Sequence, residues 1–261
     1  MSVFDNSLFY ADGLFETFLA VKDRIVFMED HLNRLEKGAK LINIKIPVDR
    51  KTIIRWLNSA NKKNNSEIKK IRLTVTSGDS AFWAGRSSLP RIIIIVTEYS
   101  LPRNNFRLTV SPYRIDQGSP FRNVKTLSFV VEMTSRKNAY AGKFDDAILL
   151  TRNGYVAETT SANLFWVKNG VLYTTPCRSG CLEGMTRKHI IELAYKNDVP
   201  FREKMVRLSE VLKADEIFVT SSIKLIIPVS SVTYKMVYRY RTGKLAMILR
   251  SRLKSQIFKE G

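Results

Sequence analysis

Cysteine, histidine and long apolar runs are all scarce in this 261-residue chain. The only cysteines, Cys177 and Cys181, are too few for a disulfide framework, so we expect two reduced thiols. Together with the only histidines, His31 and His189, they do not supply a convincing zinc ligand set, and we predict no metal site. No apolar run approaches the roughly 20 residues that cross a bilayer, which argues against a membrane span.

The N-terminus also lacks a basic segment followed by an apolar one, the pattern that marks a secretory signal. We therefore expect a cytoplasmic protein that does not bind membranes. Apolar residues make up 44% of the chain, which is typical of a globular protein with a substantial core.

Positive charge is abundant, with a formal net charge of +19. Such an excess can attract nucleic acid or small anionic molecules. Basic residues are densest over 235–261, but this tail also carries apolar residues at near-helical spacing: Leu245, Ile248, Leu249, Leu253 and Ile257. We therefore prefer a docked amphipathic helix with a basic outer side over a nucleic-acid-binding arm.

The first half of the chain predicts strands interleaved with two helices. Residues 14–27 indicate a hairpin turning at 22–23, and residues 29–41 indicate a helix with acidic residues in its first turn. Asp49 is a plausible N-cap for a second helix. Strands are predicted at 71–76, 91–97 and 106–111, with a loop at 77–88. This order favours an α/β or α+β arrangement.

The second half predicts more strands than helices. Residues 112–120 are short, polar and turn-rich, and they are the best candidate linker. Helices are predicted at 127–140 and 186–197, and Asn-Gly pairs at 153–154 and 169–170 indicate tight hairpin turns. The predicted strands cover 146–151, 155–158, 164–167, 171–174 and 216–220.

Lys125 and Glu158 are the candidate reactive residues of the chain. A lysine amine can act as a nucleophile when its surroundings favour the neutral form. Taken alone, a lysine at a strand-to-helix junction is usually solvated, and a glutamate beside a hairpin is usually exposed. Neither residue indicates catalysis without further motifs.

Six segments, taken in order, resemble one family. The chain is similar to class IV (fold type IV) pyridoxal-phosphate enzymes, which include branched-chain aminotransferases, D-amino acid aminotransferases and 4-amino-4-deoxychorismate lyases. The resemblance runs roughly from residue 9 to residue 229. Its segments are Asp12-Gly-Leu-Phe-Glu-Thr-Phe18, His31-Leu-Asn-Arg34-Leu35, the Lys125 segment, Glu158 with Asn163-Leu-Phe-Trp166, Gly184-Met-Thr-Arg187, and Asp215-Glu-Ile-Phe-Val-Thr-Ser-Ser222.

This resemblance implies a two-domain α/β (α+β) fold. A smaller N-terminal α/β domain would cover 1–112, a linker 113–120, and a larger pyridoxal-phosphate-binding domain 121–261, with the cofactor between the two domains. Family members are usually homodimers in which a neighbour's loop closes the site.

The resemblance also implies roles for individual residues. Lys125 matches the lysine that forms a Schiff base with pyridoxal 5′-phosphate and moves protons as general base and acid. Glu158 matches the carboxylate that pairs with the ring nitrogen. The phosphate partners and one substrate-side tyrosine complete the implied set: Arg34, Met185, Thr186, Ser221 and Ser222 for the phosphate, and Tyr10 for the substrate.

Two positions depart from the family pattern. Many relatives carry Asn-Tyr a few residues after the lysine, whereas this chain has Ser128-Phe129, and Phe129 cannot donate a hydrogen bond to the cofactor's ring oxygen. Ser77 stands where several lyases have arginine.

The resemblance favours a lyase over a transaminase. The Phe-Glu-Thr-Phe segment, the short chain and the Lys-Thr-Leu-Ser segment are similar to enzymes of folate biosynthesis that convert 4-amino-4-deoxychorismate to 4-aminobenzoate and pyruvate. The alternative is a class IV aminotransferase acting on branched-chain or D-amino acids. Either activity implies a small, anionic, amine-bearing substrate. A third, less favoured hypothesis, prompted by the charge of +19, is a non-enzymatic relative that binds nucleic acid.

Overall fold

The computed structural model describes residues 2–79, 89–102 and 105–258 and divides the chain into two compact units. The first unit comprises Met1–Leu101 and Val124–Phe129, and the second comprises Pro102–Asn123 and Val130–Gly261. The linker predicted at 113–120 lies in the second unit, where residues 113–115 end a strand. Most of the loop predicted at 77–88 lies outside the described residues.

The first unit is an antiparallel sheet with helices. Its elements are α1 (Asn6–Tyr10), β1 (Gly13–Val21), β2 (Arg24–Ile25), α2 (Met28–Leu41), α3 (Arg50–Lys62), β3 (Ile68–Thr76) and β4 (Arg91–Glu98). The strand order is β2-β1-β3-β4, and each neighbouring pair is antiparallel. The predicted hairpin turn at 22–23 is confirmed, because β1 and β2 flank it.

One face of this sheet forms the core of the first unit. Side chains alternate along a strand, so Leu14 and Phe18 of β1 share a face with Val75 and Ile71 of β3, their paired residues. Apolar residues of α2 and α3 join the same cluster. The predicted N-cap of α3 is confirmed, since the Asp49 carboxylate accepts a hydrogen bond from the backbone N–H of Thr52 at 2.7 Å.

The second unit contains a nine-stranded mixed sheet with the order β10-β9-β8-β11-β12-β5-β6-β7, and β13 pairs with β12. Its strands are β5 (Phe106–Ile115), β6 (Asp146–Thr151), β7 (Val156–Thr159), β8 (Asn163–Lys168), β9 (Val171–Thr174), β10 (Phe201–Glu203), β11 (Glu216–Ser221), β12 (Leu225–Tyr234) and β13 (Met236–Arg239). Its helices are α4 (Val130–Ala141), α5 (Met185–Lys196), α6 (Leu208–Val211) and α7 (Lys244–Phe258).

Two predicted elements require correction. The helix expected at 127–140 begins at Val130, because the residues just before it pair with β1: the N–H of Leu127 donates to the carbonyl of Gly13 at 2.9 Å. In the C-terminal tail the predicted helix forms as α7, but Ile248 is exposed while Ala246, Leu249 and Leu253 are buried.

Within the part of the chain that the structure describes, no helix is both long enough and apolar enough to cross a membrane.

Candidate active site

Lys125 is held by backbone pairing to β1 in the first unit. Its carbonyl accepts a hydrogen bond from the N–H of Phe15 at 2.9 Å, and the next residue, Thr126, forms a bridge with Leu14. A segment far along the chain therefore extends the edge of the first sheet. This pairing fixes the backbone from which the half-buried lysine side chain projects.

The Lys125 amine lies among aromatic rings. Its Nζ is 4.3 Å from the ring centroid of Phe15 and 5.6 Å from that of Phe129, and the two rings meet edge-on at 6.1 Å. The guanidinium of Arg72 lies over the same Phe15 ring at 3.7 Å. Phe129, which replaces the tyrosine expected from the family pattern, thus forms part of an aromatic wall beside the amine.

Arg34 belongs to a buried cluster with Glu16 and His31, also in the first unit. Arg34 donates from Nε to Glu16 Oε1 at 2.7 Å and from Nη2 to Oε2 at 2.6 Å, while His31 Nδ1 lies 2.6 Å from Oε2. Although burial opposes ionisation, the Arg34 charge, supported by His31, lowers the pKa of Glu16 to about 2. Burial lowers the pKa of His31. Glu16 therefore holds the Arg34 guanidinium in a fixed orientation.

Glu158 is a buried carboxylate of β7 in the second unit. Burial raises its pKa to about 8, the neighbouring Cys181 thiol acts in the same direction, and Arg122 opposes the rise. Arg122 Nη2 donates to Glu158 Oε1 at 3.2 Å, and the N–H of Leu182 donates to Oε2 at 3.2 Å. The folded chain therefore favours a proton on Glu158, or a cation beside it.

Asn163 couples Glu158 to the start of α5. Its Nδ2 donates to Glu158 Oε2 at 3.3 Å and to the carbonyl of Leu182 at 2.8 Å. A Cβ added to Gly184, the N-cap residue of α5, would lie 2.0 Å from Asn163 Oδ1. The second unit thus needs glycine at 184 because Asn163 occupies the adjacent space.

The N-terminus of α5 has the properties of an anion site. The helix is 12 residues long, Gly184 provides no side-chain cap, and the first backbone N–H groups have no acceptor within the helix. Met185 and Thr186 are buried, and the Thr186 hydroxyl has no hydrogen-bond partner among the described residues. A phosphate at this helix start would satisfy both the hydroxyl and the N–H groups.

Ser221 and Ser222 lie where β11 turns into β12, in the second unit. The N–H of Lys224 donates to Ser221 Oγ at 3.3 Å, and Lys224 Nζ donates to Ser161 Oγ at 2.6 Å. Ser161 in turn donates to the buried carboxylate of Asp146 at 2.7 Å. Lys224 thus connects the serine turn to the turn that follows Glu158.

The predicted site residues divide between the units. Tyr10, Arg34 and Lys125 lie in the first unit, where Tyr10 is an exposed residue at the end of α1. The remaining five lie in the second unit: Glu158, Met185, Thr186, Ser221 and Ser222.

Sequence reasoning missed four residues that bond to this set or to its immediate neighbours: Arg72, Arg122, Glu132 and Asn163. Arg72 offered a usable signal, because it stands in a strand where apolar and polar residues alternate, on the side opposite the core. Asn163 belongs to a recognised segment but had no assigned role. The contacts of Arg122 with Glu158 and with Glu132 leave no local signal, since they depend on the tertiary fold.

Within each unit, the side chains suit groups of pyridoxal 5′-phosphate. In the second unit the start of α5 suits a phosphate, and the under-compensated carboxylate of Glu158 suits a protonated ring nitrogen. In the first unit Lys125 offers an amine among aromatic rings. The described residues include no group of His, Cys, Asp and Glu side chains arranged to hold a metal ion.

Comparison with known proteins identifies the family. The model for amino-transferase class IV matches residues 13–232, and the chain therefore belongs to the class IV aminotransferase family. Members of this family are enzymes that use pyridoxal 5′-phosphate, which is accordingly the cofactor of this chain.

Relatives cover nearly the whole chain. A Methanocaldococcus jannaschii protein named as a branched-chain-amino-acid aminotransferase is 31% identical over 259 residues, covering 97% of this chain and 90% of its own. Aminodeoxychorismate lyase of Bacillus subtilis is 29% identical over 273 residues, covering 100% and 92%. The branched-chain amino acid aminotransferase of Escherichia coli has a solved structure with a TM-score of 0.90 at 25% identity, covering 98% and 89%.

A further solved structure contains a cofactor derivative. It is a branched-chain amino acid aminotransferase in complex with N-(5′-phosphopyridoxyl)-L-glutamate, and it has a TM-score of 0.92 at 25% identity, covering 100% of this chain and 90% of its own.

The expected two-domain fold type IV architecture and the expected enzyme class are thus confirmed. The relatives include both a lyase and an aminotransferase, so the family alone leaves the choice of reaction open.

Proposed function

We propose that the chain is a pyridoxal-phosphate-dependent lyase that converts 4-amino-4-deoxychorismate to 4-aminobenzoate and pyruvate, a step of folate biosynthesis. The segment Lys125-Thr-Leu-Ser-Phe129 and the full-length similarity to a lyase support this choice.

The observation that carries the proposal is the position of Arg72. Its guanidinium shares the Phe15 ring with the Lys125 amine, at 3.7 Å and 4.3 Å from the ring centroid. Burial lowers the pKa of Arg72, and among the described residues it pairs with no carboxylate. A half-buried cation near the reactive amine suits a second carboxylate on the substrate, and 4-amino-4-deoxychorismate carries two.

Each residue then has a defined task. Lys125 takes the proton from the amine-bearing carbon of the substrate and returns it later. Glu158 holds the ring nitrogen, and the start of α5 holds the phosphate through Met185 and Thr186. When bound, the cofactor supplies an electron sink for the negative charge that develops on the substrate carbon.

The turn at Ser221 and Ser222 and the guanidinium of Arg34, oriented by Glu16, complete the proposed phosphate partners. Tyr10 remains a proposed contact on the substrate side.

The lyase reaction balances without water or an oxidant. The amine-bearing ring carbon loses its proton, the adjacent carbon–oxygen bond breaks, and the ring becomes aromatic as 4-aminobenzoate. The departing enolpyruvate takes up a proton and becomes pyruvate.

The second candidate is an aminotransferase acting on branched-chain or D-amino acids. The observation in its favour is the 31% identity to a protein named as a branched-chain-amino-acid aminotransferase. Such an enzyme would move the amino group to a keto acid and would release no pyruvate from 4-amino-4-deoxychorismate.

A paired assay separates the two candidates. The purified protein with pyridoxal phosphate is given either 4-amino-4-deoxychorismate or leucine with 2-oxoglutarate, and D-alanine with 2-oxoglutarate forms a third arm. We expect equal amounts of 4-aminobenzoate and pyruvate in the first arm. Transamination in the other arms, with neither product in the first, would refute the lyase.

Arg72→Met tests the proposed role of this arginine in binding the substrate carboxylate. Loss of the cation should raise KM for 4-amino-4-deoxychorismate by about tenfold or more, because a charge-assisted hydrogen bond contributes on the order of 1.5–3 kcal/mol. Lys70→Met, on the same face of β3, removes the same charge two residues away and serves as the matched control.

We also propose that the chain acts as a homodimer in the cytoplasm. Exposed apolar side chains at the N-terminus support self-association: Val3, Phe4, Leu8 and Phe9 are each more than half exposed. Sedimentation equilibrium measures the assembly directly, and a monomer at working concentration would refute it.

A further inference from the structure

Arg122 stands between two buried carboxylates of the second unit. Its Nη1 donates to Glu132 of α4, its Nη2 donates to Glu158 Oε1 at 3.2 Å, and its Nε donates to the carbonyl of Gly180 at 3.1 Å. The side chains of Glu132 and Glu158 are only 7% and 12% exposed. One guanidinium is therefore the shared hydrogen-bond donor of two carboxyl groups that are shielded from bulk water.

With both carboxyl groups ionised, the cluster of Arg122, Glu132 and Glu158 lacks one positive charge. Two ionised carboxylates against one guanidinium leave a net charge of −1, and the neighbouring Cys181 thiol stays neutral because its hydrogen bond with Cys177 and its burial raise its pKa. An uncompensated buried charge is costly, so the cluster must gain a proton or a cation. Burial is the largest cause of the raised pKa of Glu158, about 8, and the charge of Glu132 acts in the same direction.

We propose that Arg122 and Glu132 are positioning residues that keep Glu158 one positive charge short, so that it accepts the cofactor's ring nitrogen only in the protonated, cationic form. This inference rests on the proposed pairing of Glu158 with that nitrogen. In either state the cluster holds one proton: on Glu158 without the cofactor, and on the ring nitrogen with it.

Glu132 is required because it also accepts a hydrogen bond from Arg122, so that the Arg122 charge is shared between two carboxylates. If Glu132 were neutral, the guanidinium would compensate Glu158 alone. Glu158 would then ionise without a further cation, and its hold on the ring-nitrogen proton would weaken.

The first experiment uses the apoprotein. Carbon-13 NMR of the glutamate carboxyl groups follows the titration of Glu158, assigned by its loss in Glu158→Gln. We expect a midpoint near pH 8 in the wild type and a midpoint at least about one unit lower in Glu132→Gln. Glu36→Gln removes the same charge from a glutamate paired with Arg50 in the first unit and should leave the midpoint unchanged. An equal midpoint in wild type and Glu132→Gln would overturn the inference.

A double variant tests the charge balance even if Glu132→Gln fails to fold. Arg122→Gln with Glu132→Gln removes an ion pair of zero net charge, and removing both partners is better tolerated than removing one. Glu158 is then left without a compensating charge, so its midpoint should stay high. A fall toward the ordinary glutamate range would contradict the proposal.

The second experiment uses the loaded enzyme with nitrogen-15 in the cofactor ring. The chemical shift should report a protonated nitrogen from about pH 6 to about pH 9 in the wild type and loss of that proton within this window in Glu132→Gln. Identical shifts in the two proteins would overturn this inference alone. Failure of the wild type to take up pyridoxal phosphate would overturn the proposed function as well, so the two failures are distinguishable.

Discussion

At the scale of single residues, Glu16 shows how the first unit stabilises a buried charge. The carboxylate accepts two hydrogen bonds from Arg34 and contacts His31, and these partners outweigh the cost of burial. Its pKa therefore falls from 4.5 to about 2 on folding. Because the folded pKa is lowered, this stabilisation is complete above about pH 4.5 and is lost as the pH falls toward 2.

Glu16→Gln tests this account. At neutral pH the substitution leaves Arg34 without its carboxylate and should reduce the free energy of unfolding by roughly 3 kcal/mol. The difference between variant and wild type should shrink as the pH is lowered from about 4.5 toward about 2. Urea unfolding at several pH values measures it, and a difference that does not change with pH would contradict the assigned role.

Gly184 is constrained by a neighbour and not by its own backbone. Its φ is −73°, which any residue can adopt, but an added Cβ would lie 2.0 Å from Asn163 Oδ1. Since Asn163 also bonds to Glu158, Gly184→Ala should disturb both the start of α5 and the carboxylate. We expect weaker pyridoxal phosphate binding and a loss of stability of about 1–3 kcal/mol.

Titration with the cofactor and thermal unfolding measure these two effects of Gly184→Ala. Gly118→Ala is the matched control, because that glycine is exposed and its added Cβ would meet only a side-chain oxygen of Asp116 at 3.3 Å. If Gly184→Ala bound the cofactor as tightly as Gly118→Ala does, the close approach of residue 184 to Asn163 would not determine cofactor affinity.

At the scale of secondary-structure elements, the C-terminal helix α7 depends on Glu216 at the start of β11. The Glu216 carboxylate accepts hydrogen bonds from the N–H groups of Leu245 at 3.3 Å and Ala246 at 3.0 Å, so it caps the helix from a neighbouring strand. A Cβ on Gly243 would lie 1.5 Å from the Glu216 carboxyl carbon.

Gly243→Ala should therefore displace the cap and destabilise α7 by about 1 kcal/mol or more. A double-mutant cycle with Glu216→Ala isolates the cause. When Glu216 is already absent, the added methyl group has nothing to displace, so the cost of Gly243→Ala should largely disappear. If that cost were the same in both backgrounds, measured by thermal unfolding, the capping role would be wrong.

Elements with strong local signals were predictable from the sequence. The Asn169–Gly170 turn has φ values of 51° and 76°, as Asn-Gly hairpins require, and α2 begins one residue before the predicted 29–41. The β12–β13 hairpin was missed because Lys235, with φ 59°, occupies the turn position where glycine would have given the signal. Exposed Ile248 shows that spacing alone placed one residue too many on the buried face of α7.

At the scale of the whole molecule, the family and the cofactor were predictable because six short segments keep a characteristic order. The tertiary contacts of these segments were not predictable from the sequence. Lys125 pairs with β1, more than a hundred residues earlier in the chain, although the sequence grouped it with the C-terminal residues. Arg122 approaches Glu158 through tertiary packing that leaves no local pattern, whereas the alternation of β3 indicated the face of Arg72 but not its contact with the Phe15 ring.

The net charge of +19 has a different meaning once the family is known. An enzyme with an anionic cofactor and a proposed dicarboxylate substrate gains from positive charge that attracts both. Much of the basic tail forms β13 and α7, elements of the second unit, which favours the docked helix over a nucleic-acid-binding arm.

The central claim is that Lys125 carries pyridoxal phosphate, and reduction of the loaded enzyme with borohydride tests it most directly. Mass spectrometry of the digested protein should find a phosphopyridoxyl group on Lys125, and Lys125→Ala should carry none. A stable label on another lysine, such as Lys224, or no label on the wild type, would contradict the account.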